Sequence, residues 1–271
     1  MDGVAKVAVG LVSGVLSGAF GIGGGLITTP AIRLLLGYPA LIAVGTPLPV
    51  ILPGALTGAV TYWKRGSADV RAGVVMGLVG SVGSVGGALL SQVAGGSVVL
   101  LATAAMIGWA SADMLLQHRT AVRAEAVFGE GESDGALAPV LEGPNPGRRA
   151  LRLTLIGAVA GFYSGFLGLG GGFVIVPALT RYLGMPVKRA IGTSLVTVAV
   201  LAIPGTVAHS LLGHVDWPLA LMLALGVVPG AVIGARLTEG ASDRAVRLAF
   251  AILLAVVGVW LAATEIAGLH L

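Results

Sequence analysis

The chain contains no cysteine, which excludes disulfides, thiolate metal sites and cysteine nucleophiles. Charge is scarce too. Asp, Glu, Lys and Arg make up 10% of the 271 residues, against roughly 25% in a soluble domain, whose surface must be solvated. The four histidines, His118, His209, His214 and His270, are scattered and form no metal-ligand spacing. There is no Walker A sequence, so ATP drive within this chain is not expected. No Ser-His-Asp set, His-Glu-x-x-His pattern or paired carboxylates mark an intramembrane enzyme. Neither metal nor cofactor is expected.

What the chain has is apolar length. Hydrophobic residues make up 56% of it and mean hydropathy is +0.98. Runs such as Val4–Ile32, Ala72–Gln92 and Ala220–Ala235 approach or exceed the ~20 residues that cross a bilayer core as a helix. The composition predicts an all-α integral membrane protein whose first partner is the lipid bilayer. A net charge of +4 and a pI near 9.9 do not imply a nucleic-acid partner, because the basic residues sit in short loops between apolar segments, as in cytoplasmic loops. Lys6 before an apolar stretch mimics a signal peptide, but that stretch belongs to a repeat and is read as structure.

Ser17-Gly-Ala-Phe-Gly-Ile-Gly-Gly-Gly25 returns as Ser164-Gly-Phe-Leu-Gly-Leu-Gly-Gly-Gly172, an offset of 147 residues. The same offset joins Pro30 to Pro177, Gly37 to Gly184, Pro39 to Pro186, Gly45-Thr46 to Gly192-Thr193, Gly58 to Gly205 and Asp69 to Asp216. Over positions 17–60, 18 of 44 residues equal their counterparts, where chance in such a composition gives roughly one in ten. The chain therefore divides into a first repeat, 1–116, a connector, 117–150, and a second repeat, 151–271. The connector holds Gly129-Glu-Gly-Glu-Ser-Asp-Gly135 and Pro144-Asn-Pro-Gly147; it reads as a flexible linker without a fold.

Each half opens with two apolar segments separated by the Gly run, 4–20 with 26–36 and 151–167 with 173–183. Three ordinary spans follow in each, about 41–62, 72–92 and 98–116, then 189–211, 217–235 and 245–264. An 11-residue arm such as Leu26–Leu36 reaches about 16 Å as a helix, half a bilayer. If each broken pair returns to its own side, one face receives 14 basic residues (Lys64, Arg65, Arg71, Arg119, Arg123, Arg148, Arg149, Arg152, Arg181, Lys188, Arg189, Arg236, Arg244, Arg247). The other receives Lys6 and Arg33. If each pair crosses once, the split is nine against seven, which the positive-inside rule disfavours. Equivalent loops also differ in charge: the one with Lys64, Arg65 and Arg71 matches 211–219, which has no Lys or Arg. The halves are read as inverted. The expected fold is an inverted-repeat helical bundle of about six spanning helices plus two Gly-broken re-entrant or discontinuous pairs. In the cell membrane its linker would be cytoplasmic and its termini outside. The sequence assigns no oligomeric state.

Inverted repeats with interrupted helices are a transporter architecture whose substrate sits where the interruptions meet. Three successive glycines let backbone amides approach a ligand, and helix N-termini there favour an anion. The paired Ser-Gly-x-x-Gly-[Ile/Leu]-Gly-Gly-Gly motif, each copy followed by a small apolar run and Pro, resembles the sulfite exporter TauE/SafE family of membrane permeases. The resemblance covers the chain apart from the linker. It implies a secondary transporter that exports sulfite, a sulfonate or a related oxyanion by alternating access. A passive anion channel is the first alternative and an intramembrane enzyme the second.

The expected anion contacts are Gly21, Gly23, Gly24 and Gly25 with Gly168, Gly170, Gly171 and Gly172, joined by the hydroxyls of Ser17, Ser164, Thr46, Thr193 and Ser194. Against this, small residues also permit close helix packing, and Ser and Thr hydroxyls often bond back to their own helix. Pro47 stands where the second half has Ser194, so the half-sites differ. Pro47, Pro49 and Pro53 suggest a distorted helix. His209 lies inside a span and could carry a proton, but is expected near the outer end and simply hydrogen-bonded. Asp69 and Asp216 are expected as N-caps, with Pro218 in a first turn.

Overall fold

The computed structural model describes residues 3–128 and 146–269, with side chains for all of these except 96, 97, 117–128, 146 and 264–269. Ten helices and no strand form among the described residues: α1 (Gly3–Phe20), α2 (Gly25–Leu35), α3 (Ala40–Lys64), α4 (Val70–Ala94), α5 (Gly96–Phe128), α6 (Pro146–Leu167), α7 (Gly172–Leu183), α8 (Val187–Leu211), α9 (Trp217–Gly240) and α10 (Asp243–Leu269). The local signals are legible. Asp69 and Asp216 cap α4 and α9, their carboxylates accepting the Ala72 and Leu219 amides at 3.0 and 2.9 Å. Pro218 sits in the first turn of α9. Pro30 opens a π-helical stretch, Ala31–Leu35, that ends α2, as expected where proline breaks the regular ladder. The ladder of α3 is likewise interrupted at Thr46, ahead of Pro47.

Among the described residues eight helices, against the six spans expected, are long and apolar enough to cross a membrane; the two extra are the first arms of the broken pairs, since α1 has 18 residues and α6 reaches back to Pro146, giving 22. Their partners α2 and α7 are short. Nor is the connector wholly without fold: α5 continues through Phe128 and α6 begins at Pro146. Thr120–Phe128, with three alanines and no Gly or Pro, has helix-forming composition. The stretch 129–145 lies outside the described residues.

The two repeats pack reciprocally. Arm α1 lies parallel to α9, with backbone contact at Gly10–Leu223, Gly14–Val227 and Gly18–Ala231. Adding 147 to each α1 position and subtracting it from each α9 position gives the seam of α6 on α4: Gly157–Met76, Gly161–Gly80 and Gly165–Ser84. A Cβ at any of the six glycines would collide with the opposing backbone. Small residues thus let backbones touch where lipid supplies no hydrophobic drive between helices.

The start of α3 rests on the α8–α9 turn, Gly45 against His214, while the start of α8 rests on the α3–α4 turn, Gly192 against Ser67. Equivalent helices therefore run antiparallel. Arm α6 and α7 form a hairpin that re-emerges where it entered, since Arg152 near the start of α6 donates to Tyr182 O at the end of α7, 2.6 Å. Val9 of α1 packs with Leu36 and Tyr38 beyond α2 in the same apolar cluster, so the first hairpin also turns back. Ion pairs tie one face together: Arg65–Glu239 (2.7 Å), Arg149–Asp69 (3.0 Å), Arg189–Asp69 (3.5 Å), Lys188–Asp243 (3.8 Å) and Arg181–Asp113. The opposite face, where α1 starts, holds Lys6 and Arg33. We call these the linker face and the terminal face.

Candidate functional site

The glycine runs meet. A Cβ at Gly25 would stand 2.7 Å from Leu169 Cα, and one at Gly172 would stand 2.7 Å from Ile22 Cα. At the crossing, Gly23 and Gly170 each lie against the same two side chains, Ile51 and Val198, which are themselves repeat counterparts. The pseudo-twofold centre is thus four residues, two from each half. Backbone geometry requires glycine here: Gly24 and Gly171, which head α2 and α7, have φ of 91° and 73°, the left-handed region that other residues rarely enter.

Both loops are fully buried. Ile22, Ile51, Leu169 and Val198 are at most 1% exposed, so the crossing is sealed by apolar side chains. Several buried hydroxyls have no hydrogen-bond partner, among them those of Thr29, Ser84, Ser17 and Ser164, all 0% exposed; the last two are repeat counterparts. They occupy equivalent positions one turn before the breaks, where their carbonyls accept the Gly21 and Gly168 amides at 2.8 and 3.0 Å. Ser17 Cβ lies 3.7 Å from where a Gly24 Cβ would be, which puts the serine beside its loop. A buried hydroxyl without a partner costs about 1–3 kcal/mol. Its recurrence in both halves is the site's most informative feature.

Of the other expected hydroxyls, Ser194 reaches the first loop, whereas Thr46 and Thr193 are engaged away from the crossing. Thr46 Oγ1 accepts the Asp216 amide at 3.0 Å and Thr193 Oγ1 accepts the Asp69 amide at 2.9 Å. These symmetric bonds fasten the starts of α3 and α8 to the turns on opposite faces. Ser194 donates to Gly21 O at 2.8 Å, holding the first loop; Pro47 at the equivalent place has nothing to donate.

A broken helix leaves its last carbonyls without intrahelical partners, and the halves satisfy them differently. At the end of α1, Tyr62 donates to Gly18 O (3.1 Å) and Thr238 to Ala19 O (2.9 Å). Below the loop, Ser13 and Thr28 both donate to Gly24 O, 2.8 and 2.6 Å. At the end of α6, the equivalent of Tyr62 is His209, whose Nε2 bonds Gly165 O at 2.8 Å. Ser13 and Thr28 become Ala160 and Ile175, and Ser91, which stands where Thr238 does, bonds Ala88 O within its own helix. The sequence had the histidines scattered; the turn after α8 brings His209 and His214 together, Nδ1 to Nδ1 at 3.2 Å. The spacing of five across a helix end was the available signal.

On the linker face, a pocket of about 230 Å³ lies at the α7–α8 turn, lined by Arg149, Leu183, Gly184, Met185, Pro186 and Arg189. Both arginines pair with Asp69, so the pocket is basic but its charges are engaged.

The family described as Sulfite exporter TauE/SafE matches residues 7–261. The chain is similar to "Probable membrane transporter protein YunE" of Bacillus subtilis, 26% identical over 95% of this chain and 96% of that one. It is also similar to "Probable membrane transporter protein MJ0441" of Methanocaldococcus jannaschii, 24% identical over 94% and 93%. "Probable membrane transporter protein MamO" of Paramagnetospirillum magneticum is 30% identical over 94% of this chain and 44% of its own length. No solved structure matches.

Proposed function

The chain belongs to the sulfite exporter TauE/SafE family of membrane transporters, and from that premise we propose that it is a secondary transporter exporting a sulfur-containing anion, sulfite or a small sulfonate, by alternating access. The observation that carries the reading is the reciprocal crossing of two glycine loops, flanked by the paired, unpartnered hydroxyls of Ser17 and Ser164. An oxyanion can accept hydrogen bonds from both serines and from the loop amides of Gly23, Gly24 and Gly25 and of Gly170, Gly171 and Gly172, while the Gly21 and Gly168 amides stay with the Ser17 and Ser164 carbonyls. It would displace the Ile51 and Val198 side chains that fill the crossing. A site built from neutral donors binds an anion without the deep trap that a buried Lys or Arg would set, and so permits release.

The positive-inside rule puts the basic linker face in the cytoplasm and the terminal face outside. Substrate would then enter past the basic pocket at Arg149 and Arg189. In proteoliposomes, uptake of radiolabelled sulfite or a sulfonate should saturate, and Ser17→Ala or Ser164→Ala should each lower it about tenfold, the loss of ~1.4 kcal/mol of binding. Wild-type flux unaffected by either substitution contradicts the site. Non-saturating current far above a carrier's turnover would assign a passive anion channel instead.

A further inference from the structure

The first hairpin is held at its break by Tyr62, Thr238, Ser194, Ser13 and Thr28. Among the described residues, the corresponding side-chain bond to the second hairpin comes from His209. That residue is 0% exposed, and its partner His214, in the α8–α9 turn, is 6% exposed. The hydrogen bonds fix the proton count. Gly165 O can only accept, so His209 Nε2 carries a proton. In a neutral His209, Nδ1 is then an acceptor, and the proton between the rings sits on His214 Nδ1. His214 Nε2 is left to take one more proton, with every existing bond intact. That proton's charge can pass inward: as His214 Nε2 gains a proton, the one on Nδ1 can move to His209 Nδ1. A second added proton would set two N–H groups against each other across 3.2 Å. The pair holds one proton in excess.

We propose that His209 and His214 form a proton-binding site, loaded from the terminal face, that couples transport to a pH difference by controlling the second hairpin. The proposal rests on the transport reading above. Two contacts carry the effect. His209 holds the last turn of α6 through Gly165 O. The His214 carbonyl packs on Gly45, next to Val44, whose own carbonyl packs on Gly168 of the second loop. Burial lowers the His214 pKa, so a proton on this pair favours wetter surroundings and loosens the turn from the start of α3. Opening toward the terminal face follows as the state that protonation stabilises.

Among the residues whose side chains are described, no other charge serves this purpose locally; Glu265, near the terminal-face end of α10, lies outside them. Among the described residues, α3, α4, α7 and α10 carry their Asp, Lys and Arg residues near the linker face. Arm α6 brings Tyr163 toward this end. Lys6 and Arg33 share the terminal face on α1 and α2. Asp216 turns its carboxylate to the Leu219 amide. In the first half the counterparts of His209 and His214 are Tyr62 and Ser67, which do not titrate near neutral pH. The device is on one face alone.

The test gives each histidine its repeat counterpart. His209→Tyr keeps a donor for Gly165 O, and His214→Ser removes the outer ring. Proteoliposomes are assayed for radiolabelled sulfite at equal pH and across one pH unit; comparing variants with wild type cancels sulfite's own protonation. A one-unit difference should change wild-type accumulation by up to about tenfold, the limit for one proton per turnover, and that of either variant by less than about twofold. Sulfite counterflow at equal pH should persist in both variants. An unchanged pH response in the variants overturns the proton site and leaves the transport reading standing. Absence of wild-type flux at equal pH overturns the transport reading, and the coupling with it. If His209→Tyr does not fold, His214→Ser, at the outer end of the pair, decides the question with the same outcomes.

Discussion

The two hairpins are built on one plan and held in different ways. Both lay an arm along a helix of the opposite half through three glycines in equivalent register. Both end in a left-handed glycine heading a short helix. The first is then tied at its tip by hydroxyls and a phenol, none titratable near neutrality, while the second relies on an imidazole pair. Packing that must recur for the halves to dock has been kept by the repeat. Polar fastening, which sets how readily a hairpin lets go, has diverged. The rigid and the responsive parts of the molecule therefore separate by half rather than by depth.

The shared part should be the hardest to alter. Gly18→Val and Gly165→Val each force a side chain into the backbone of Ala231 or Ser84, and should cost about 3 kcal/mol or more, the upper range of overpacking. Both variants should lose the monodisperse peak in size-exclusion chromatography; survival of one alone would show that the seams are not equivalent. Next, Tyr62→Phe leaves Gly18 O without its side-chain donor and should lower thermal stability by about 1–3 kcal/mol, with no change in any pH response. Thr46→Val and Thr193→Val each strip an acceptor from a part-buried amide. They should cost a similar ~1 kcal/mol, and a difference between them beyond ~0.5 kcal/mol would break the proposed symmetry of the two turns.

The smallest effect is on pH. Because burial holds the His214 pKa below the ordinary imidazole value, the unfolded chain binds the proton more readily. Stability from this group is full above the unfolded value of about 6.5 and declines as pH falls below it. The melting temperature should drop on acidification, and His214→Ser should flatten that drop.

Much of this was legible in the sequence. The repeat at a fixed offset, the caps Asp69 and Asp216, and the hairpins returning to their own face all follow from spacing and from the placement of Lys and Arg. The start of α6 did not, because Pro144-Asn-Pro-Gly147 with Arg148 and Arg149 reads as a basic loop although Pro is also favoured in a first helical turn. The candidate site was legible in its glycines and in Ser17 and Ser164, residues of a motif that occurs twice and on which the proposed anion site rests. Thr46 and Thr193 looked like ligands for the same reason, yet they fasten turns through amides more than a hundred residues away. Such partners exist only in three dimensions. The His209–His214 pair escaped notice because its meaning depends on a helix ending between the two rings.

The most direct test of the central claim, one anion site shared by both halves at the glycine crossing, is calorimetric titration of purified protein with sulfite and small sulfonates. The account predicts one anion per chain, with Ser17→Ala and Ser164→Ala each weakening it about tenfold while leaving the melting temperature of the free protein unchanged or raised. Two independent anions per chain, or binding that survives both substitutions, would contradict it.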